Sequence, residues 1–288
     1  VASIYAAAMV AWRTLWLALA MVAVTGCTGE PSPTLFLPIS SAEEGASDPD
    51  GTRATGTAQA TQQATAAGEL DRDLADTDEL RAQREALVEG AIAPVVDDER
   101  IVEAFRTVPR HAFVPTDALE RAYGDFPLPI EAGQTISQPS LVAMMTELVA
   151  IDSGDRVLEV GTGSGFQAAI LRQLTDEVYS VEIIPELSGI ASAVLDRLGY
   201  GDIEVERRDG YLGWPEAAPF DAIVVTAAPD HLPRPLVDQL SPDGGRMVIP
   251  IGPVGDVQTL WLVTRNGEDV AMEEVVPVQF VPLTREES

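Results

Sequence analysis

Residues 157–169, VLEVGTGSGFQAA, decide the fold. The β-rich run VLEV ends at glycines 161, 163 and 165, and FQAAILRQL then continues with helical spacing. A strand turning sharply into a helix is the opening unit of a doubly wound α/β sheet, whose ligands sit beyond the strand ends at this turn. Glycines at alternate positions let the backbone approach a ligand in conformations closed to other residues.

Outward from the turn, short β-rich runs alternate with amphipathic helices: RVLEV, FQAAILRQL, VYSVEI, PELSGIASAVLDRL, IEVER, FDAIVVTAA, RPLVDQL and RMVIPI. This order predicts right-handed βαβ units and a mainly parallel sheet covered on both faces. VQTLWLVTR and EEVVPVQFVPL follow with no helix between them, which predicts an antiparallel C-terminal hairpin at the sheet edge through Asn266-Gly267. Upstream, helical spacing over ELDRDLADTDELRAQREALVEGAI, from Glu69, and over DDERIVEAFRTV predicts a helical N-terminal cap. In the second of these, Ile101, Val102, Phe105 and Val108 share a face. The proline-marked GDFPLPIEAGQTISQP leads into a helix beginning near Pro139, with Leu141, Met144, Met145, Leu148 and Val149 as its apolar face.

Glu182, at the end of the second strand, could accept hydrogen bonds from both hydroxyls of a ribose, a requirement that NAD and S-adenosylmethionine share. The spacing G-x-G-x-G, in place of G-x-G-x-x-G, favours the methyl donor. Glu159, just before the turn, would repel a pyrophosphate but suits a cationic methionine moiety. Asp209-Gly210, after the third strand, supplies an acid where an adenine amino group could be met. Glu159, Gly161, Gly163, Gly165, Glu182, Asp209 and Gly210 are therefore the expected cofactor-binding set.

GQTISQP at 133–139, VLEVGTGSGFQAA, VYSVE, RDGYLGW, APFDAIVVTAA, GGRMVIPIG and FVPL, with VPRHAFVP and AYGDFPLPI upstream, together resemble the protein-L-isoaspartate O-methyltransferase family over roughly residues 75 to 285. The resemblance implies a Rossmann-like S-adenosylmethionine-dependent methyltransferase fold and a monomer. The implied reaction is methyl transfer to the α-carboxylate of L-isoaspartyl residues in damaged proteins and peptides, after which the ester collapses to a succinimide. Ser137 matches the family's active serine, and its hydroxyl can orient the substrate carboxylate. Thr135 and Ile136 carry neighbouring backbone groups at the substrate, and Thr284 closes the substrate pocket. Ser137 also suits the N-cap of the helix entered at Pro139. The chain departs from the family pattern at Arg208, which stands for a glycine, at Ser140 for an aromatic residue, and at Phe166 for a tyrosine. No catalytic base is expected, because a carboxylate with a reference pKa of ~3.9 is already ionised at neutral pH. His111 reads as a packed residue and His231 as a loop residue near the cofactor edge.

Acids number 46 against 18 basic residues, all arginine, for a net charge of -28, which excludes nucleic acid as a partner. With one cysteine and two histidines, neither an internal disulfide nor a metal site is expected. Residues 1–27 read as a signal peptide: Arg13, the ten-residue apolar stretch Leu15 to Val24, and Val24-Thr25-Gly26-Cys27, which resembles a lipobox with Cys27 as the lipidated residue. A spanning helix would need roughly 20 apolar residues. Residues 28–68, rich in Thr, Ala, Ser, Gly, Pro and Gln, cannot bury enough apolar surface to offset chain entropy and read as a tether. Residues 69–288 are the expected methyltransferase domain, held at the cell envelope through a membrane anchor on Cys27. An uncleaved anchor remains open, as does a misassigned start, which would leave the domain cytoplasmic. Two other functions also stay open: a catalytically silent binding module on the same fold, and an NAD-linked oxidoreductase.

Overall fold

In the computed structural model, which describes residues 72–285, alternate residues of the central strands pack to opposite sides of one sheet. Val157, Ala222, Val224, Val248 and Leu260 face one core, and Leu158, Val160, Ile223, Val225, Met247, Ile249 and Val263 the other. Burial on both faces is why these strands read as continuous apolar runs. The expected signal segment, the tether, Cys27 and residues 69–71 lie outside the described residues.

The cap begins later than its periodicity suggested. Helix α1 (Asp78–Leu87) starts where the Thr77 hydroxyl accepts the Leu80 N–H (3.2 Å). Ahead of it, Asp73 accepts the Ala75 N–H (2.9 Å), a local bond that competes with helix. A π-helical turn (Val88–Ile92) and α2 (Glu99–Thr107) follow, and α2 buries Ile101, Val102 and Phe105, with Val108 at its end, as expected. Strands β1 (Leu128–Pro129) and β2 (Thr135–Ile136) form a short antiparallel pair ahead of α3 (Pro139–Leu148). The buried face of α3 differs from expectation: Val142, Ala143, Met145 and Thr146 are buried, with Val149 after them, while Leu141, Met144 and Leu148 are only partly covered. α3 packs on α2, the π-helical turn and the sheet together, so its buried face is wide enough to take in small Ala143 and Thr146, whose hydroxyl donates to the Val142 carbonyl (2.8 Å).

The sheet continues through β3 (Arg156–Val160), α4 (Phe166–Arg172), β4 (Glu177–Glu182), α5 (Pro185–Arg197), β5 (Glu204–Arg207), β6 (Ala222–Val225), α6 (Arg234–Gln239), β7 (Asp243–Ile251), β8 (Gln258–Asn266) and β9 (Asp269–Val278). Its order is β5-β4-β3-β6-β7-β8-β9, parallel through β7 and antiparallel in β8 and β9. The chain leaves β3 on one side for β4 and returns on the other as β6, so the turn after β3 opens at the switch point where such sheets bind ligands. The hairpin turn is Gly267-Glu268, one residue later than expected, with positive φ at Gly267. Beyond β9 the chain leaves the sheet edge and bridges Ala228: the Ala228 N–H donates to the Val281 carbonyl (2.8 Å) and the Leu283 N–H to the Ala228 carbonyl (2.9 Å). That bridge carries the C-terminal segment from the edge of the sheet to the switch point.

Candidate active site

Gly161 opens the turn at φ +98°, donates its N–H to the Val181 carbonyl (2.9 Å), and accepts from the Thr226 hydroxyl (2.6 Å). A Cβ at this position would run into Thr226 Oγ1. Glu182 ties the turn to the next strand, with Oε2 accepting the Gly163 N–H (2.8 Å) and Oε1 the Ile184 N–H (2.9 Å). Gly165, at φ +89°, is the N-cap of α4, and a Cβ there would press on Leu195 of α5. Its part is to seat the helix, whereas Gly161, Gly163 and Glu182 line the cleft itself.

Glu159 lines the floor of the same cleft and is wholly buried. The Ser180 hydroxyl donates to its Oε2, and the Thr162 hydroxyl stands behind Ser180 (2.6 Å). Desolvation pushes the Glu159 carboxyl up to about 8; the Ser180 hydrogen bond opposes this and the Glu182 charge adds to it. At neutral pH the group is therefore held largely protonated, not as the standing negative charge anticipated next to the turn. Among the described residues its Oε1 is buried without a hydrogen-bond partner, and so is Oε1 of Gln167, another residue lining the cleft. The Gln167 amide is oriented by Thr146: that hydroxyl spends its proton on Val142 and can only accept, so it receives Gln167 Nε2 (3.0 Å).

Gly210 lines the cleft, and the Asp209 carboxylate beside it meets the C-terminal segment. It accepts the Tyr211 N–H (3.0 Å) and pairs with Arg285 Nε (2.8 Å), while the Arg285 guanidinium lies 3.8 Å over the Tyr211 ring. Asp209 thus secures the C-terminal segment that carries Thr284 to the cleft, and each of its oxygens keeps a further lone pair. Arg208 forms no part of the cleft wall; it pairs with Glu206 and Glu216 (2.7 Å each) and stacks 4.7 Å from the Trp214 ring. Phe166 is buried edge-on against Phe105 and Phe113 (5.8 and 5.6 Å), where a tyrosine hydroxyl would need a partner.

Thr135, Ile136 and Ser137 also line the cleft. The N-cap of α3 is Gln138, not Ser137, and the acceptor for the first turn comes from Asp125, which takes the Ser140 N–H (2.9 Å). The Ser137 hydroxyl is left with no hydrogen-bond partner among the described residues. His111 is packed as expected, with Nδ1 2.7 Å from the Tyr123 hydroxyl and burial lowering its pKa. His231 is exposed and meets the Tyr211 hydroxyl (2.8 Å).

The cleft is partly open to solvent. Gln134, Gln167 and Thr226 also line it and were not picked out from sequence. Gln167 could have been: it is the one polar residue in the otherwise apolar FQAAIL at the start of α4.

The sequence profile of the protein-L-isoaspartate(D-aspartate) O-methyltransferase family matches residues 82–288. A protein-L-isoaspartate O-methyltransferase of Opitutus terrae is 51% identical over 205 residues, covering 71% of this chain and 88% of that protein. A second, from Shewanella sediminis, is 49% identical over 210 residues, covering 73% and 86%. Among solved structures, a protein-L-isoaspartate O-methyltransferase superposes with a TM-score of 0.63 at 32% identity, over 69% of this chain and 65% of that one. A Plasmodium falciparum structure in complex with S-adenosyl-L-homocysteine shares the fold at a TM-score of 0.59 and 23% identity, over 71% and 97%.

Proposed function

The chain belongs to the protein-L-isoaspartate(D-aspartate) O-methyltransferase family, and from that premise we propose the part that each residue of the cleft plays. The enzyme transfers a methyl group from S-adenosylmethionine to the carboxylate of L-isoaspartyl residues in damaged proteins, and family membership sets aside both the silent-module and the NAD-linked readings. The cleft fits the cofactor: among the described residues Glu159 Oε1 and Gln167 Oε1 are buried without hydrogen-bond partners, and S-adenosylmethionine carries an ammonium that can donate to the Gln167 carbonyl and to the Glu159 carboxylate once it ionises. Glu182, Gly161, Gly163 and Gly210 would hold it together with them. When bound, it supplies an electrophilic methyl on a sulfonium.

Ser137 binds the substrate carboxylate, and the observation that carries this reading is its hydroxyl, which lines the same cleft as the glycine turn and has no hydrogen-bond partner among the described residues. The carboxylate arrives ionised, so the residues of the cleft need not remove a proton. Their work is to align the nucleophile and to exclude water around an anion and a cation that neutralise each other as the bond forms. Thr135 and Ile136 shape the backbone beside Ser137, and Thr284 closes the C-terminal side, where Arg285 is fastened to Asp209. Ser137→Ala should lower kcat on an isoaspartyl peptide by roughly 10- to 10²-fold, the worth of one hydrogen bond to a charged group. Its affinity for S-adenosylhomocysteine, measured by calorimetry, should stay within about twofold of wild type. Unchanged turnover would remove Ser137 from the mechanism.

For the rest of the chain, we propose that residues 1–27 are a lipoprotein-type signal, 28–68 a tether and 69–288 a monomeric methyltransferase domain anchored through Cys27. The lipobox-like VTGC after a short apolar run supports this reading. In cells fed labelled fatty acid, the full chain should carry label and sediment with membranes, and Cys27→Ser should lose both. An unlabelled wild-type chain in the soluble fraction would place the enzyme in the cytoplasm instead.

A further inference from the structure

The first N–H groups of a helix have no partner within it and need one from outside. At α3 that partner is the carboxylate of Asp125, which belongs to a different segment. Its Oδ1 accepts the Ser140 N–H (2.9 Å), and its Oδ2 accepts both the Ser140 hydroxyl (2.9 Å) and Gln138 Nε2 (3.0 Å). Gln138 Nε2 also reaches Ser140 Oγ (3.0 Å). Just after Asp125, Leu128 and Pro129 pair with Ile136 and Thr135. Ser137 is thus the single residue between two attachments to one loop, the β1–β2 ladder before it and the Asp125 carboxylate after it.

The loop is itself anchored to the glycine turn. Arg110, fully buried, donates from Nε to the Ala122 carbonyl (2.9 Å), and its guanidinium stands 5.0 Å from the ring of Phe166, the first residue of α4. Burial pulls the Arg110 pKa down to about 9, with the Asp125 charge opposing the fall. Arg110 therefore spans from the segment carrying Asp125 to the helix that leaves the cofactor turn.

We propose that Asp125 is a positioning residue for methyl transfer, holding the Ser137 hydroxyl on the cleft wall through Gln138 and Ser140. The proposal rests on the reading of Ser137 given above. At the departure Ser140, the short hydroxyl donates to the second oxygen of Asp125 beside Gln138 Nε2.

The test uses the full chain, an isoaspartyl peptide and S-adenosylhomocysteine. Asp125→Ala should lower kcat on the order of 10²-fold, the scale of a misplaced reacting group, with affinity for S-adenosylhomocysteine within about twofold of wild type. Asp125→Asn should recover to within about fivefold of wild-type kcat, because its carbonyl still accepts the Ser140 N–H and its amide can donate to Gln138 once that side chain turns over. If Asp125→Ala does not fold, Gln138→Leu and Ser140→Ala read the same attachment from its other end and should each lower kcat several-fold. Three outcomes overturn the proposal: wild-type kcat in Asp125→Ala, or in both substitute variants; cofactor affinity falling in step with kcat, which marks general loss of structure; and no recovery in Asp125→Asn. Failure of the Ser137 reading is distinguishable, since it appears as unchanged turnover in Ser137→Ala itself.

Discussion

Glu182→Ala is expected to weaken S-adenosylhomocysteine binding by more than about 10²-fold, the largest single effect on the site. Two losses combine. The carboxylate accepts the N–H groups of Gly163 and Ile184 at 2.8 and 2.9 Å in a nearly buried position, and alanine leaves both donors stranded. Each stranded donor costs about 1–3 kcal/mol, so the turn that must meet the cofactor loosens before any ligand arrives. The variant also lacks the acceptor assigned to the ribose hydroxyls. Glu182→Gln separates the two: it keeps the size and one acceptor oxygen, but its amide N–H₂ must face one of the two backbone N–H groups, so its affinity should fall between wild type and alanine. Calorimetric titration of the three proteins measures this. Alanine binding within about fivefold of wild type would mean that Glu182 is not what shapes the cofactor site.

The second large effect is on stability, and it changes with pH. The Glu159 carboxyl titrates near 8 in the fold, against an ordinary 4.5, because burial disfavours its charge. Between those values the folded protein keeps a proton that the unfolded chain has released. Stability from this group is therefore complete below about pH 4.5 and is lost as pH rises through about 8. At about 1.4 kcal/mol per pKa unit, the loss reaches a few kcal/mol as an upper figure. Glu159→Gln mimics the protonated group at every pH. The melting temperature of the cofactor-free variant, relative to wild type, should rise steadily from pH 5 to pH 8. The variant's own unpaired amide N–H adds an offset that does not vary with pH. A difference that is flat across the range would show that Glu159 is ionised throughout. The same argument bears on function: a cation brought close to Glu159 favours its ionised form, so the acid next to the turn gains its charge with the ligand and does not hold it beforehand.

Reading by sequence succeeded where chemistry is local. Glycines at 161, 163 and 165 after VLEV and an acid closing the next strand are features of a few adjacent residues, and the switch-point cleft lies where they indicate. The same holds for the hairpin, misjudged by one residue at Gly267-Glu268. It failed where a side chain is claimed by a partner distant in sequence. The Asp209 carboxylate, which reads as an adenine contact, also meets Arg285 from the C-terminal segment and the Tyr211 N–H, and no local pattern shows the Arg285 pairing. Ser137 suits an N-cap by position, but Asp125 takes the helix end and leaves that hydroxyl without a hydrogen-bond partner among the described residues. Arg208, which stands where the family pattern has a glycine, is held by Glu206, Glu216 and Trp214.

What the sequence by itself determined is the order of strands and helices, the turn at the head of β3, and the family to which these motifs belong. Periodicity, glycine φ and strand-end acids are written in consecutive residues and need no third dimension. Only the tertiary structure decided which polar groups are spent and which are spare. It leaves Glu159 neutral by burying it, orients Gln167 through Thr146, and brings Thr284 to the cleft through a bridge to Ala228. Desolvation and hydrogen-bond satisfaction depend on every neighbour at once, and most of those neighbours lie far away along the chain.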